Sequence, residues 1–383
     1  MRILQVSASY KPAYCYGGPI MSVAKLAEQL QAGGHQVEVF CTTANGTSEL
    51  SVTPGKRQLV DGVPVRYFRR LSKDHSHFSP ALLRTLWKEA RTFDVVHIHA
   101  WWNLVSVCSC LLAILRGVPV IFSPRGTLSS YSFSNRHINM KALFQKILGR
   151  WLLNNCYIHV TAENEAQALW KLCRPRALYM ISNFVRLPAL PPCVVQQPTH
   201  QEPFLRIIFL SRLEKKKGLD LLLDALAFQQ TAFRLSIAGD GEPDYVEQLK
   251  KIAEERNIAE YISWRGFRYD DKFSMLAEHD LLVLPSHDEN FGNVVIESLS
   301  MGTPVLVSRG VGLASYVASS GLGWVCNNTP QELRETIYDI SQQHEQRQMI
   351  RHTAAARINI DFGDLTLLHQ YQNMYQSVYL QNR

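Results

Sequence analysis

The amino-acid sequence predicts an α/β protein built of two doubly wound parallel-sheet domains, on three observations. Its 383 residues exceed what one hydrophobic core usually organises. Short apolar or β-branched runs alternate with segments of helical periodicity in both halves, the pattern of a parallel sheet covered on both faces. From Leu187 to Phe204 the alternation stops, and Pro188, Pro191, Pro192, Pro198 and Pro203 crowd a stretch that reads as a linker. These breaks set domains at 1–187 and 205–360, a linker at 188–204, and a C-terminal helix at 361–383 placed to pack back on the first domain.

In the first half RILQVSA reads as a buried strand, Gly17-Gly18 as a loop, and PIMSVAKLAEQLQAGG as an amphipathic helix that stops at glycine. QVEVFCT, VPVRYF, DVVHIHA, VPVIFS, CYIHV and ALYMI follow as strands, separated by the helical patterns PALLRTLWKEA, LVSVCSCLLAILRG and ENEAQALWKL. In the second half the strands are LRIIFLS, FRLSIAG, YISWRG, DLLVLPS and TPVLVS. Between them lie the helices LDLLLDALAFQ, YVEQLKKIAEERN, DKFSMLAEH and NVVIESLSMG. TPQE, Thr329 to Glu332, has the form of a capping box with proline at the first helical position. A last helix runs from about Leu365 to Leu380.

With 46% hydrophobic and 19% charged residues the chain can fill its cores without disulfides or metals. The net charge of +7 is unevenly spread: residues 1–190 hold 22 lysines and arginines against 9 acids, and residues 191–383 hold 18 against 24. Eight scattered cysteines form no CxxC pair and no zinc-like spacing, which suits reduced thiols in a cytosolic protein. MRILQVSASY lacks the basic and apolar leader of a signal peptide, and the longest apolar window, Leu104 to Leu115, is too short to span a bilayer. Any membrane contact is therefore expected to be peripheral.

Doubly wound sheets take ligands at the carboxyl ends of their strands, so chemistry is expected where two such sheets face a shared cleft. SRLEKKKG follows the first strand of the second half and puts Arg212 and Lys217 beside Gly218 and a helix start. A guanidinium, an ammonium and free helix amides suit a diphosphate, although four cations in six residues can also be a solvated run. AGDGEPDY repeats the arrangement, with Gly239 and Gly241 letting backbone approach a ligand. HDENFGNVVIESLSMGTPVL, His287 to Leu306, sets Glu289 in a loop and Glu297 one turn into a helix, inside a run that otherwise looks buried. Ionised carboxylates are costly to bury without hydrogen bonds, and they only accept. Sugar hydroxyls, which offer several donors, are their natural partners; as helix-terminus stabilisers the two acids would contribute only ~0.5 kcal/mol each.

Taken together, SRLEKKKG, AGDG and the Glu289–Glu297 spacing within ENFGNVVIESLSMGTPV resemble the donor-binding half of retaining glycosyltransferases with the GT-B fold, glycosyltransferase family 4 (glycosyl transferases group 1). Gly17-Gly18, HIHAWW at 97–102 and SPRG at 123–126 match the N-terminal half, so the resemblance covers most of the chain. It implies a GT-B architecture, two Rossmann-like domains facing a central cleft, and a nucleotide-diphosphate sugar donor carrying UDP or GDP, with no further cofactor. By that resemblance Arg212 and Lys217 hold the diphosphate, Glu297 the ribose hydroxyls and Glu289 the donor sugar. Backbone near Asn290, Phe291 and Gly292 meets the sugar or its phosphates, and the Arg265-Gly266-Phe267 turn meets the base. Gly17 and Gly18 approach the diphosphate from the other side, and His99 lies against the donor sugar. His97 is read as a satisfied core residue that alternates with His99 across the strand, so the two should differ in exposure. Asn290 and Ala100 stand where the family often has glycine, which bears on the sugar that fits.

Breaking the bond from anomeric carbon to phosphate creates an oxocarbenium-like sugar and an anionic leaving group, so preformed donors at the diphosphate carry the largest burden. The chain contains no DxD triplet, which agrees with metal-independent catalysis, and the family implies retained configuration. On the acceptor side, NMKALFQKILGRWLLNN at 139–155 has apolar residues at helical spacing with Lys141, Lys146 and Arg150 alongside. Such a helix lies on an anionic lipid surface or packs as an ordinary surface helix. With the basic first half it suggests a lipid-linked saccharide acceptor at the inner face of the cytoplasmic membrane, as in bacterial lipopolysaccharide or exopolysaccharide assembly. A nucleotide-sugar epimerase or phosphorylase of the same fold and a non-catalytic partner subunit are the rival readings. Nucleic acid finds no recognition motif, and no GxGxxG supports a dinucleotide oxidoreductase.

Overall fold

The computed structural model describes residues 1–72, 74, 76–129, 144–188, 204–268 and 271–382. The expected linker therefore lies almost wholly outside the described residues. The chain divides into one unit of Met1–Val185 with Phe362–Arg383 and another of Arg186–Asp361.

The first unit contains β1 (Arg2–Val6), β2 (Gln36–Thr42), a small hairpin of β3 (Ala44–Asn45) and β4 (Ser48–Glu49), β5 (Arg57–Val60) and β6 (Val63–Phe68). It continues through β7 (Val95–His99), β8 (Val120–Ser123), β9 (Tyr157–Val160) and β10 (Ala177–Met180). Its helices are α1 (Gly18–Ala32), α2 (Pro80–Glu89), α3 (Leu104–Leu115), α4 (Arg150–Asn154), which continues a π-helical turn at Gln145–Gly149, and α5 (Glu163–Leu172). The sheet runs β10-β9-β8-β7-β1-β2-β6-β5, so the strand order reverses between β1 and β7. Right-handed crossovers then put α1 on one face and α2 to α5 on the other. The core clusters follow this division: Leu82, Leu86, Val105, Leu152 and Leu169 pack on one face, and Leu26, Leu30, Tyr371 and Tyr375 on the other.

The C-terminal helix, Asp364–Leu380, joins the α1 face through Leu367, Tyr371, Met374, Tyr375 and Val378, a helical stripe of buried residues. Within the large sheet one strand departs from the all-parallel expectation. β5 pairs antiparallel with β6 across Asp61-Gly62, and both turn residues have positive φ. Asp-Gly between apolar runs is a hairpin signal that the reading by alternation passed over.

The second unit holds β11 (Leu205–Leu210), β12 (Phe233–Ala238), β13 (Ile262–Gly266), β14 (Leu281–Leu284), β15 (Val305–Ser308) and β16 (Gly323–Cys326). They pair in parallel in the order β13-β12-β11-β14-β15-β16. Between them run α6 (Leu219–Ala227), α7 (Pro243–Glu255), α8 (Lys272–Ala277), α9 (Asn293–Ser300) and α10 (Ala314–Ser320), with α11 (Pro330–Gln342) and α12 (His344–Phe362) after the sheet. β16, α10 and α12 were not read from the sequence. α12 buries only the narrow stripe Ile350, Ala354, Ile358 and Phe362, too thin a signal in a polar segment. At α11 the Thr329 hydroxyl caps the Glu332 amide as expected, but Glu332 turns to the Asn327 amide and side chain instead of completing the box.

Candidate functional site

In the second unit the strand order reverses between β11 and β14, the switch point where ligands of open α/β sheets bind. The loops after these two strands hold SRLEKKKG and HDENFG. After β11 the chain makes a tight turn at Lys215–Lys217, passes through Gly218 and starts α6. A Cβ at Gly218 would lie 2.1 Å from the Pro285 carbonyl oxygen, so this turn and the end of β14 touch backbone to backbone. Gly239 closes β12 against β11 in the same way, with only 1.8 Å between an added Cβ and the Ser211 oxygen. Alanine at Gly239 is accordingly expected to destabilise the protein by roughly 3 kcal/mol or more. At Gly266, where an added Cβ meets nothing within 4 Å, it should cost only about 1 kcal/mol; urea unfolding midpoints separate the two.

That close approach brings Lys217 and Glu289 together. Lys217 is buried, and its ammonium forms an ion pair with the Glu289 carboxylate. The Glu289 loop is itself pinned, because the Glu289 amide donates to the Gly310 carbonyl at 2.9 Å and the Gly312 amide to the Glu289 carbonyl at 2.8 Å. Lys216 pairs with Asp288 at 3.0 Å just outside. Glu297, in the second turn of α9, accepts from the Lys272 ammonium at 2.7 Å. Lys272 was missed by sequence reasoning. The signal was indirect: a carboxylate in an apolar run demands a cation, but the sequence does not say which.

Gly292, in left-handed conformation, opens α9, and Phe291 before it is buried. The first amides of α6 and α9 have no intrahelical partners and aim their partial positive charge out of the strand ends. The Gly239 amide donates to the Gly266 carbonyl at 2.9 Å, so the Arg265-Gly266-Phe267 turn adjoins the AGDG turn, with the Phe267 ring exposed. Arg212 behaves differently from Lys217. Its guanidinium pairs with Glu214 at 2.6 Å and is more than half exposed. A hollow lined by Phe204, Phe228, Arg234 and Tyr261 opens at the amino ends of β11 and β12, about a strand length from the lysine–carboxylate pairs.

The other assigned residues lie in the first unit. Gly17 caps α1 with φ 71°, and Gly18 is the first helical residue, so the expected loop is a helix start. His99 ends β7 at this unit's own switch point. The expected contrast with His97 does not hold, since both are buried. Residues two apart share a face of a strand, and the rings lie 4.3 Å apart. They differ in partners. His99 Nε2 lies 2.7 Å from the side-chain oxygen Oε1 of Gln5, and its Nδ1 has no partner among the described residues. His97 belongs to a chain. His159 Nε2 donates to the Ile181 carbonyl at 2.9 Å, which leaves Nδ1 to accept from Ser123 Oγ at 2.7 Å. Ser123 then accepts from His97 Nε2 at 2.6 Å, and His97 Nδ1 accepts from the Tyr375 hydroxyl at 2.6 Å. Burial pushes the pKa of His97 and His99 well down and that of His159 to about 3. Gln5, a lone amide in a buried strand, is the other residue missed; a polar side chain there needs a partner.

Comparison with known proteins falls into the same two halves. The family described as Glycosyltransferase Family 4 matches residues 16–187, and that described as Glycosyl transferases group 1 matches residues 195–357. A D-inositol 3-phosphate glycosyltransferase of Jonesia denitrificans is 25% identical, with 88% of this chain and 89% of that protein covered. A phosphatidyl-myo-inositol mannosyltransferase of Mycobacterium leprae is 28% identical over 76% of this chain and 75% of its own. The structure of Anabaena HepE in complex with UDP superimposes with a TM-score of 0.79 at 20% identity, covering 98% of this chain and all of that one. The chain belongs to the glycosyltransferases of the GT-B type, its two units corresponding to the two halves of that family.

Proposed function

We propose that the chain moves a sugar, with retained configuration and without a metal ion, from a nucleotide-diphosphate sugar to a hydroxyl of a saccharide acceptor. The acceptor is lipid-linked, in bacterial surface polysaccharide assembly at the inner face of the cytoplasmic membrane. One observation carries the reading: at the switch point of the second unit a buried lysine–carboxylate pair, Lys217–Glu289, stands between two helix starts, with Lys272–Glu297 behind it. An incoming diphosphate competes with Glu289 for Lys217 and adds the helix amides, which releases the carboxylate to accept from sugar hydroxyls. Arg212, exposed and paired with Glu214, swings to the same phosphates. Glu297 takes the ribose, and the exposed Phe267 ring stacks the base, of UDP or GDP. By the family resemblance His99 and Gly17-Gly18 of the first unit are also assigned to the donor.

The anionic leaving group is met by fixed cations and helix dipoles, which need no reorganisation as charge develops. A lipid-linked acceptor is supported by the mannosyltransferase relative, whose name specifies a phosphatidylinositol substrate. Incubating the protein with a nucleotide sugar, with and without acceptor, tests the reading. A glycosylated acceptor and free nucleoside diphosphate are expected only when both substrates are present. Conversion of the donor alone to an isomeric sugar would assign a nucleotide-sugar epimerase, and no turnover with any donor of a panel would assign a non-catalytic subunit.

A further inference from the structure

We infer that the outer surface of the α2 to α5 layer is a docking face for an anionic lipid bilayer, with these four helices lying in the headgroup plane. This rests on the transferase reading for its purpose and extends its membrane contact from one helix to a whole side of the first unit.

The four helices share one face of the sheet, so the residues they turn away from the core form one surface. α2 buries Leu82 and Leu86 and exposes Arg84, Trp87, Lys88 and, just beyond its end, Arg91 in one stripe. α3, LVSVCSCLLAIL, has no charged residue at all, although Leu104 and Leu115 at its two ends are exposed. A helix beside water normally turns charged or polar residues outward. The turn before α4 and α4 itself bury Leu152 and Leu153 and expose Lys146, Ile147, Arg150 and Trp151. Ile147 is 69% exposed and Trp151 45%, large values for side chains of this kind. α5 ends in exposed Trp170 and Lys171, followed by Arg174.

The segments are stitched into one surface. The Arg116 guanidinium lies 4.9 Å from the centre of the Trp87 ring, joining α3 to α2, and Cys110 and Cys156 sulfurs at 3.3 Å join α3 to the end of α4. The Arg174 amide donates to Asn154 at 2.6 Å, joining α5 to α4. Against these cations the outer surface offers Glu89, already paired with Arg66, and Glu163. The described ion pairs of this unit run through Lys11, Lys25, Arg57, Arg66 and Arg70, and none of these cations belongs to the outer face.

The occupant follows from the chemistry. Tryptophans interleaved with lysines and arginines across a broad layer of helices, around a charge-free apolar helix, match a headgroup region: phosphates outside, acyl chains just beneath. A protein partner would leave such a spread of unpaired cations poorly matched, and a polynucleotide would not use exposed Ile147 or Leu115. No helix among the described residues is long and apolar enough to cross a membrane, so the contact is a surface one.

The full chain is to be sedimented with vesicles of phosphatidylcholine alone and of phosphatidylcholine with about 30% phosphatidylglycerol, at low and high salt. Binding is expected to the anionic vesicles only, weakened by salt, with tryptophan emission shifted to the blue. The triple variant Lys88→Glu, Arg91→Glu, Arg150→Glu should bind at least about tenfold more weakly. Trp151→Ala should bind more weakly and lose part of the spectral shift. Circular dichroism checks that each variant is folded, and a charge-neutral triple glutamine variant serves if the glutamates unfold it. Equal binding to neutral vesicles, no binding, unchanged binding of a folded triple variant, or preference for RNA over vesicles would overturn the inference. Transfer to a water-soluble acceptor is measured in parallel. Its loss with vesicle binding intact would count against the transferase reading alone.

Discussion

Lys217→Ala is expected to lower sugar transfer by more than tenfold while the protein stays folded, and Glu297→Ala to do the same by a different route. Lys217 is the buried cation at the switch point, and its partner Glu289 is partly buried as well. Removing a fixed donor from a site that must hold a departing diphosphate typically costs ~3 kcal/mol of transition-state stabilisation. The loss should therefore fall on kcat, because charge on the leaving group develops only as the bond breaks. Glu297 holds a part of the donor that does not react, so its loss should raise KM more than it lowers kcat. Both changes strand a partner. Glu289 loses its ammonium in one variant and Lys272 its carboxylate in the other, at about 1–3 kcal/mol of stability each. The double variant Lys217→Met, Glu289→Gln separates the effects, since it leaves no unpaired charge and should be more stable than Lys217→Ala yet equally inactive. Steady-state kinetics beside thermal melts decide the matter. Unchanged turnover in both single variants would remove the site from this crevice.

Acidification from pH 7.5 to 5 is expected to destabilise the first unit by several kcal/mol. His97, His99 and His159 are buried and held neutral, their pKa values pushed down by desolvation and, in each case, by the nearby Arg125 charge among lesser causes. The hydrogen-bond chain says why the proton is refused. In the direction Tyr375 to His97 to Ser123 to His159 to Ile181, each ring nitrogen is already donor or acceptor, and an extra proton on His97 or His159 would set donor against donor. An unfolded chain takes up protons on these rings below about pH 6.5, and the folded chain does not, so stability rises with pH across that window and falls as pH drops below it. At pH 5 each histidine contributes a loss of roughly 2 kcal/mol. Because Tyr371 and Tyr375 sit on the C-terminal helix, the acid-labile part includes its seat on β7 to β9. Urea titrations at the two pH values check this, with His159→Gln expected to shrink the difference. A pH-independent midpoint would contradict it.

Elements of this chain differ in how far local sequence reveals them. Strands buried on both faces, such as LRIIFLS and DLLVLPS, announce themselves, because continuous apolar β-branched runs between helical patterns have few other uses. The glycine turns were equally plain, since a glycine after a buried strand marks a close approach of backbone, which Gly218 and Gly239 make. The histidine pair was misjudged through a geometric slip that the period of a strand corrects, for positions 97 and 99 cannot face opposite ways. β5, β16, α10 and α12 escaped because edge and surface elements bury too little to leave a periodic trace.

Local chemistry in the chain thus decided the doubly wound architecture, the positions of its turns and the kinds of group at the strand ends: cations after β11, acids after β14, a histidine at the end of β7. Periodicity and turn propensity act over a few residues, and a single sequence carries them openly. Which cation meets which acid was settled by folding. Lys217 lies 72 positions from Glu289 and Lys272 lies 25 from Glu297, and only the parallel register of β11 against β14 and the seating of α8 beside α9 put those charges in reach. The same holds for Tyr375 on His97, 278 residues apart. A partner of that kind is chosen by the space that burial leaves, and no local pattern encodes it.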